Sequence, residues 1–496
     1  MWNRWPCVLD ARPGSRPARK GAAFAAPTLG IGMIFAPALR PFLERRPDAL
    51  DVLEIEPQTM WLADHAFDGP FYEFTAGVDL FASLPGHKLV HSVGMPLGGT
   101  RAPDPGQCAL IRTTAARLNS PWVSEHLSVA GTPHRAAGFL LPPLQTADGA
   151  AQAASNIRAF AAAVERPVAI ETGVAYLSRK AFEMEDGAFL RQVVEQADCG
   201  ILLDLHNLYC NARNGRINLD RYLAQIPLDR VWEVHLAGGD EQGGVWLDSH
   251  SGPMPADLRD IAREVLGSLP NLGALNFEIY DTFLESTDEA TLDTIVDDMR
   301  GLWAGVGRSA SDAPPRALAA RPKGDAPTPA AWEAALTEAV WKADADCHPY
   351  PEDARMLALY SYLARSFRGS ILMRTLPRAM RYLLLRDGEG VQDLLAQFYA
   401  ACDPKLFAPL EAQSFADWLV DDDPLVAALL AYDLAFVRIV REGVAQVVHF
   451  PGNPRPVFEA LADLRLPELP EPPVWEIEIL PDEFTLAAFA GVGAGS

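Results

Sequence analysis

A chain of 496 residues that is 49% hydrophobic has ample material for sizeable cores and more length than one domain usually uses. A formal net charge of −23 excludes nucleic acid and anionic membrane as bulk partners, and no run of about 18 or more apolar residues is present to cross a bilayer. The six cysteines (Cys7, Cys108, Cys199, Cys210, Cys347, Cys402) show no paired spacing, which excludes a disulfide framework or zinc ribbon and suits a reducing cytoplasm.

Residues 1–27 carry Arg4, Arg12, Arg16, Arg19 and Lys20 among Pro and Gly, with no continuous apolar stretch. They read as a disordered basic arm, or a start codon placed too early, and not as a secretory signal. Eight strand-like apolar runs follow: Thr28–Ile34, Val52–Ile55, Lys88–Val93, Trp122–Glu125, Pro167–Glu171, Gly200–Asp204, Val231–Leu236 and Ala274–Ile279. Helix-compatible segments lie between them, such as Ala150–Val164, Ala188–Ala197 and Ala256–Leu266. Strand-then-helix units repeated over residues 28–304 predict an α/β chain with a (β/α)8 TIM barrel. An open doubly wound sheet is the alternative, but no Gly-x-Gly-x-x-Gly opens a helix after the first strand, so a dinucleotide site is poorly supported.

Residues 305–329 (GVGRSASDAPPRALAARPKGDAPTP) lose periodicity and read as a linker. Residues 330–496 form a second domain, with amphipathic helices at Trp332–Ala345, Asp353–Ser366, Leu376–Leu385, Gly390–Ala401 and Pro424–Arg441. Trp332, Leu336 and Val340 make an i, i+4, i+8 core stripe. The Pro-rich tail holds β-like pieces at Val447–Phe450 and Val474–Leu480. A helical bundle with a small β-rich piece is expected. From Ala330 onward acids outnumber bases by roughly two to one, which suits a basic peptide partner.

In a (β/α)8 barrel the chemistry sits where strands end. Six consecutive strands finish with a candidate metal ligand or have one close by: His91; Glu125 and His126; Glu171; Asp204, with His206 and Asn207 beyond; His235, with Asp248 and His250 in its loop; and Glu278. A lone histidine at a strand end is usually a hydrogen-bonded core residue, but the set is harder to dismiss. Each close pair of carboxylates costs about 4 kcal/mol at roughly 4 Å with an effective dielectric near 20. Cations or protons must relieve that, and the neutral imidazoles favour cations. With eight or nine potential ligands, two or three ions sharing a carboxylate fit better than one. Without cysteine at these rims a structural zinc site is disfavoured, while iron, manganese and zinc all remain open.

These motifs resemble the multinuclear non-haem iron-dependent oxidative enzymes, a TIM-barrel family that includes the iron enzyme of methanobactin biosynthesis. The matching pieces are Gly30-Ile-Gly32, Leu53-Glu-Ile-Glu-Pro57, His91-Ser-Val-Gly94, Val123-Ser-Glu-His-Leu127, Ile170-Glu171, Leu202-Leu-Asp-Leu-His-Asn207, His235-Leu-Ala-Gly238, Asp248-Ser-His250 and Phe277-Glu278. The resemblance implies two or three iron ions of mixed Fe(II)/Fe(III) state. It also implies dioxygen as co-substrate and oxidative modification of a ribosomally made precursor peptide, usually at cysteine. It assigns His91, His126 and Glu171 to one iron, with Glu171 bridging to a second that Asp204, His235 and Glu278 complete. Asn207, Asp248 and His250 would form a third site. His206, read on an extended segment, would point away from Asn207, and Glu125 would orient His126. Glu171, Asp204 and His235 are the expected catalytic residues. The second domain resembles, more weakly, the partner protein with which such enzymes recognise their precursor, here fused in cis; the pattern runs from Ala379-Met-Arg-Tyr-Leu-Leu-Leu385 through Tyr399 to Phe415-Ala-Asp-Trp-Leu419. A xylose-isomerase-like epimerase or metal-dependent phosphodiesterase is the rival enzyme reading, and a catalytically silent binding protein the third.

Overall fold

The computed structural model describes residues 24–63, 69–307, 322–344, 354–469 and 473–481. Most of the expected basic arm and linker, together with Cys7 and Cys347, lie outside the described residues.

Eight parallel strands close into a barrel: β1 (Gly30–Ile34), β2 (Val52–Ile55), β3 (His87–Ser92), β4 (Val123–His126), β5 (Val168–Glu171), β6 (Gly200–Asp204), β7 (Val231–Ala237) and β8 (Ala274–Glu278). β8 pairs with β1 and closes the ring. All eight expected strands are in it, each within about two residues of its sequence bounds, a spread ordinary for element ends. The open doubly wound alternative is thereby excluded.

Side chains on a strand alternate between faces. Val90, Val123, Ile170, Ile201, Leu203, Val234, Leu236, Leu275 and Phe277 point outward into one large apolar core beneath the surrounding helices. The inward set changes character along the barrel axis. At the N-terminal end Val52, Leu89, Trp122, Ala169, Leu202, Trp232 and Ala274 form an apolar plug. Phe24, Ala26 and Leu29 pack beneath it, with the Phe24 and Trp232 ring centroids 4.5 Å apart. Asn271 brackets this segment, accepting from Ala26 N at 3.1 Å and donating to Phe24 O at 3.0 Å. The end of the expected disordered arm is therefore ordered, because it completes the floor of the barrel. One step up, the inward residues turn polar: Glu54, Ser124, Glu233 and Asn276, all fully buried. Gly32 makes room for them, since a Cβ there would stand 2.2 Å from Asn276 Oδ1.

The C-terminal region is helical with a small antiparallel sheet, Gln446–Phe450 against Trp475–Ile479. Helices at Ala408–Trp418 and Arg455–Ala462 add to the five expected. The second expected helix continues past Ser366 to span Ala354–Thr375. It passes through Gly369, a site where the Tyr399 hydroxyl stands 3.0 Å from where a Cβ would sit. The helices Pro329–Lys342 and Ala354–Thr375 do not stand apart from the barrel. Trp332, Leu336, Val340, Leu357 and Tyr360 share one apolar cluster with Val129, Leu141, Tyr176, Leu177, Val245 and Leu247, which belong to loops at the C-terminal end of the barrel.

Candidate metal centre

Strand register brings the candidate residues together. Parallel neighbours place Asp204 beside His235 and His126 beside Glu171, at the spacing of roughly 4.8 Å between strands. Glu278 ends β8 beside Ala237, two residues beyond the register partner of His235. Asp204 ends β6 and also caps the next helix, Leu205–Arg213, accepting from Asn207 N at 2.7 Å. The loop after β7 returns through the hairpin Asp240–Gln242 and Val245–Leu247 to deliver Asp248 and His250. His250 adopts φ +46°, a left-handed backbone uncommon for a side-chain-bearing residue and often held at functional sites.

Glu171 Oε2 lies 3.4 Å from His91 Nε2 and 3.2 Å from His126 Nδ1. His235 Nδ1 lies 2.5 Å from Glu278 Oε1, and Glu278 Oε2 lies 3.2 Å from His250 Nδ1. Asp248 Oδ1 stands 2.9 Å from His250 Nε2 and 3.0 Å from His206 Nδ1. Overlapping triads with ligand atoms within 4.8 Å of one another result: His91–His126–Glu171, Glu171–Asp204–His235, Asp204–His250–Glu278 and His206–Asp248–His250. All are buried except His126 and Asp248, which are partly exposed at the mouth.

Burial first, then the neighbouring charges of Asp204 and Glu278, push the Glu171 carboxyl well above the usual range. Burial, Glu278 and Asp248 raise Asp204 to about 6. Burial lowers His126 to about 4, and burial with His126 and His235 holds His91 well below its ordinary value. Burial opposes charge on His250 as well, but Asp248 and Glu278 overrule it and raise the ring to about 10. Burial opposes charge on Asp248 and Glu278 too, but His250 with His206 holds Asp248, and His235 with His250 holds Glu278, below their ordinary values.

Divalent metal ions fit this arrangement on a structural ground. His126 Nδ1, Glu171 Oε2, Asp204 Oδ2, Asn207 Oδ1, His235 Nδ1 and His250 Nε2 are buried atoms around the one mouth that make no well-aligned hydrogen bond, although several of them face an acid or imidazole closely. Each such atom costs about 1–3 kcal/mol unless something satisfies it. Native proteins keep few of them, so this concentration points to ligand atoms. Mixed imidazole and carboxylate donors suit iron, manganese or zinc.

Two placements differ from the sequence reading. His206 and Asn207 are not on an extended segment; they lie in the first turn of a helix, where successive side chains diverge by roughly 100°. His206 faces Asp248 and receives Trp246 Nε1 at 3.5 Å, while Asn207 Nδ2 donates to Glu171 Oε1 at 2.9 Å. His206 therefore joins Asp248 and His250 in one group, while the Asn207 amide nitrogen reaches Glu171. Glu125 meets His126 through its backbone: Glu125 Oε1 accepts from His126 N at 2.8 Å, and Oε2 from Ser92 Oγ and Met95 N.

Three residues without an expected role underlie the mouth. Glu54 Oε2 lies 2.9 Å from His235 Nε2, and Asn276 Nδ2 donates to both Glu54 and Glu233. Trp122 Nε1 donates to Glu233 Oε2 at 2.8 Å. The signal for them was an acid inside an aliphatic strand: Glu233 sits two residues before His235, on the same face. With Glu54 on Nε2, His235 turns Nδ1 to the mouth, the orientation a carboxylate imposes on a ligand histidine. Glu54→Gln is expected to weaken metal affinity by roughly 10–100-fold with the fold retained; a chelator competition matching the wild type contradicts this.

The family model described as RiPP precursor modification enzyme MbnB/TglH/ChrH matches residues 29–285. A UPF0276 protein of Streptomyces avermitilis is 31% identical over 255 residues, covering 50% of this chain and 50% of its own. The chain therefore spans about half the length of that relative. A UPF0276 protein of Chromobacterium violaceum is 32% identical over 227 residues, covering 45% of this chain and 80% of its own. Among solved structures, an IolI protein with a binding zinc atom aligns with TM-score 0.38 and 13% identity, over 56% of this chain and 99% of that one.

Proposed function

Because the chain belongs to the MbnB/TglH/ChrH family of RiPP precursor modification enzymes, we propose that it is an iron enzyme that uses dioxygen to modify a ribosomally made precursor peptide at cysteine. The observation that supports it most is the ring of overlapping ligand triads at one barrel mouth, with their buried atoms that lack a well-aligned hydrogen bond. His91, His126 and Glu171 would hold one ion; Glu171, Asp204, His235 and Glu278 a second; His206, Asp248 and His250 a third. Bound iron would supply one-electron chemistry toward a thiolate and dioxygen.

The chain's own groups do the rest. Glu171 and Asp204 each belong to two triads and so couple neighbouring sites. Ser124 Oγ, 2.9 Å from His91 Nδ1, leaves Nε2 for the mouth. Wall residues such as Tyr176, Leu247 and Tyr360 are buried and exclude water from the rim. The C-terminal helices and their small sheet are the proposed peptide-recognition part; fused in cis, they raise the effective concentration of a bound peptide to about the millimolar range.

The test is turnover of a candidate precursor peptide with a cysteine, followed by mass spectrometry in air and under nitrogen. A mass change confined to air is expected. Equal turnover in both refutes the oxidative reading.

A further inference from the structure

The sequence treats residues beyond 330 as a separate unit, yet one side chain from it reaches the loops that carry the metal-centre residues. Tyr360, on the helix Ala354–Thr375, is completely buried. Its hydroxyl accepts from Tyr176 N at 3.1 Å and donates to Val174 O at 3.4 Å. The two tyrosine rings meet edge to face, centroids 5.5 Å apart at 73°. Tyr176 belongs to the loop that follows Glu171. Its own hydroxyl accepts from Asp248 N at 3.2 Å. Asp248 in turn faces His206 at 3.0 Å and His250 at 2.9 Å.

We propose that Tyr360 is a positioning residue for the metal centre, acting through Tyr176 on Asp248, so that the fused helices complete the His206–Asp248–His250 site and do not merely deliver a peptide to it. The inference rests on the metal reading above and adds a dependence of one site on the second region. Three features carry it. Each contact in the chain Tyr360–Tyr176–Asp248 ends on a backbone amide of a loop, and loops are where a site is least self-supporting. The hairpin leading to Asp248 is held from the same side: Val245 and Leu247 share the apolar cluster of Tyr360, and Arg355 donates to Gly243 O. Asp248 and His250 come from a segment outside the barrel sheet, whereas His91, His126, Glu171 and Asp204 sit on barrel strands and need no such brace.

Selectivity follows. Removing the Tyr360 hydroxyl should loosen the ion at His206, Asp248 and His250 and leave the strand-borne sites alone. The experiment loads the full chain with ferrous iron under nitrogen, counts iron by elemental analysis, and titrates a chelator. Tyr360→Phe and Tyr176→Phe keep the rings, so the fold is retained. Each is expected to release one iron at a chelator concentration at least about tenfold lower than the wild type, the scale of losing a group that orients a ligand. The double variant should match the larger single effect, because both act on one chain of contacts. Leu429→Ala, in the separate apolar core of the C-terminal helices, should lower the melting temperature and leave the chelator midpoints unchanged. A metal-loaded wild type whose Tyr360→Phe variant keeps all its midpoints overturns the relay alone, as does a Leu429→Ala variant that loosens the same iron equally. A wild type that takes up no metal overturns the metal reading and the relay with it.

Discussion

Glu171→Ala is expected to abolish peptide modification and to strip metal from two neighbouring sites at once. Glu171 belongs to both the His91–His126 triad and the Asp204–His235 triad, and Oε2 faces both imidazoles of the first. Losing a group that only orients a ligand costs roughly 10–100-fold; losing a shared ligand should exceed that in turnover and lower the bound metal by more than one ion per chain. The fold should survive. Glu171 ends β5, and its backbone carbonyl still accepts from Leu127 N at 2.6 Å whatever the side chain. Circular dichroism should therefore match the wild type. Glu165→Ala, at an exposed helix end paired with Arg112, is the control expected to keep full activity. A Glu171→Ala variant with wild-type metal and turnover would contradict the assignment.

Metal removal should destabilise the barrel and take up protons. Without cations, burial and neighbouring acids favour a proton on Glu171, and neighbouring acids favour charge on His235 and, at about 10, on His250, since all three carry raised pKa values. For His235, burial works against the charge, but Glu278 and Glu54 outweigh it. A metal ion must displace those protons, so binding releases protons and affinity rises with pH. Asp204, raised to about 6, joins them below that pH. Acidification from pH 8 to 5 should weaken binding steadily. Metal at about 1,000 times its Kd adds about 4 kcal/mol of stability by mass action, so chelation should lower the melting temperature and ferrous iron restore it. An indicator dye in weak buffer reads the protons. No proton release and an unmoved melting temperature would contradict a metal-filled mouth.

The barrel was legible because each strand is a short aliphatic run that stops at a polar residue, and parallel strands buried on both faces need that pattern. His91, Glu171, Asp204, His235 and Glu278 were legible for the same reason: each is the residue, or close to the residue, at which a run stops. What failed was local geometry at a junction. β6 ends at Asp204 and the helix begins at Leu205 with no loop between, so reading His206 and Asn207 as extended misassigned their directions. The cue was Asp204 itself, an N-cap residue directly before Leu205. Glu54 and Glu233 were hidden because an acid in a strand interior breaks the apolar pattern without marking a strand end. Tyr360 lies 184 residues from Tyr176, and no local pattern joins them.

Histidines and acids from six strands and their loops should hold several ions at one opening. Elemental analysis of the full chain, purified without oxygen and reconstituted with ferrous iron, counts those ions. Two or three irons per chain, falling in Glu171→Ala and in His235→Ala, is the predicted result. No bound metal in the wild type, or a metal count that neither substitution changes, would contradict it.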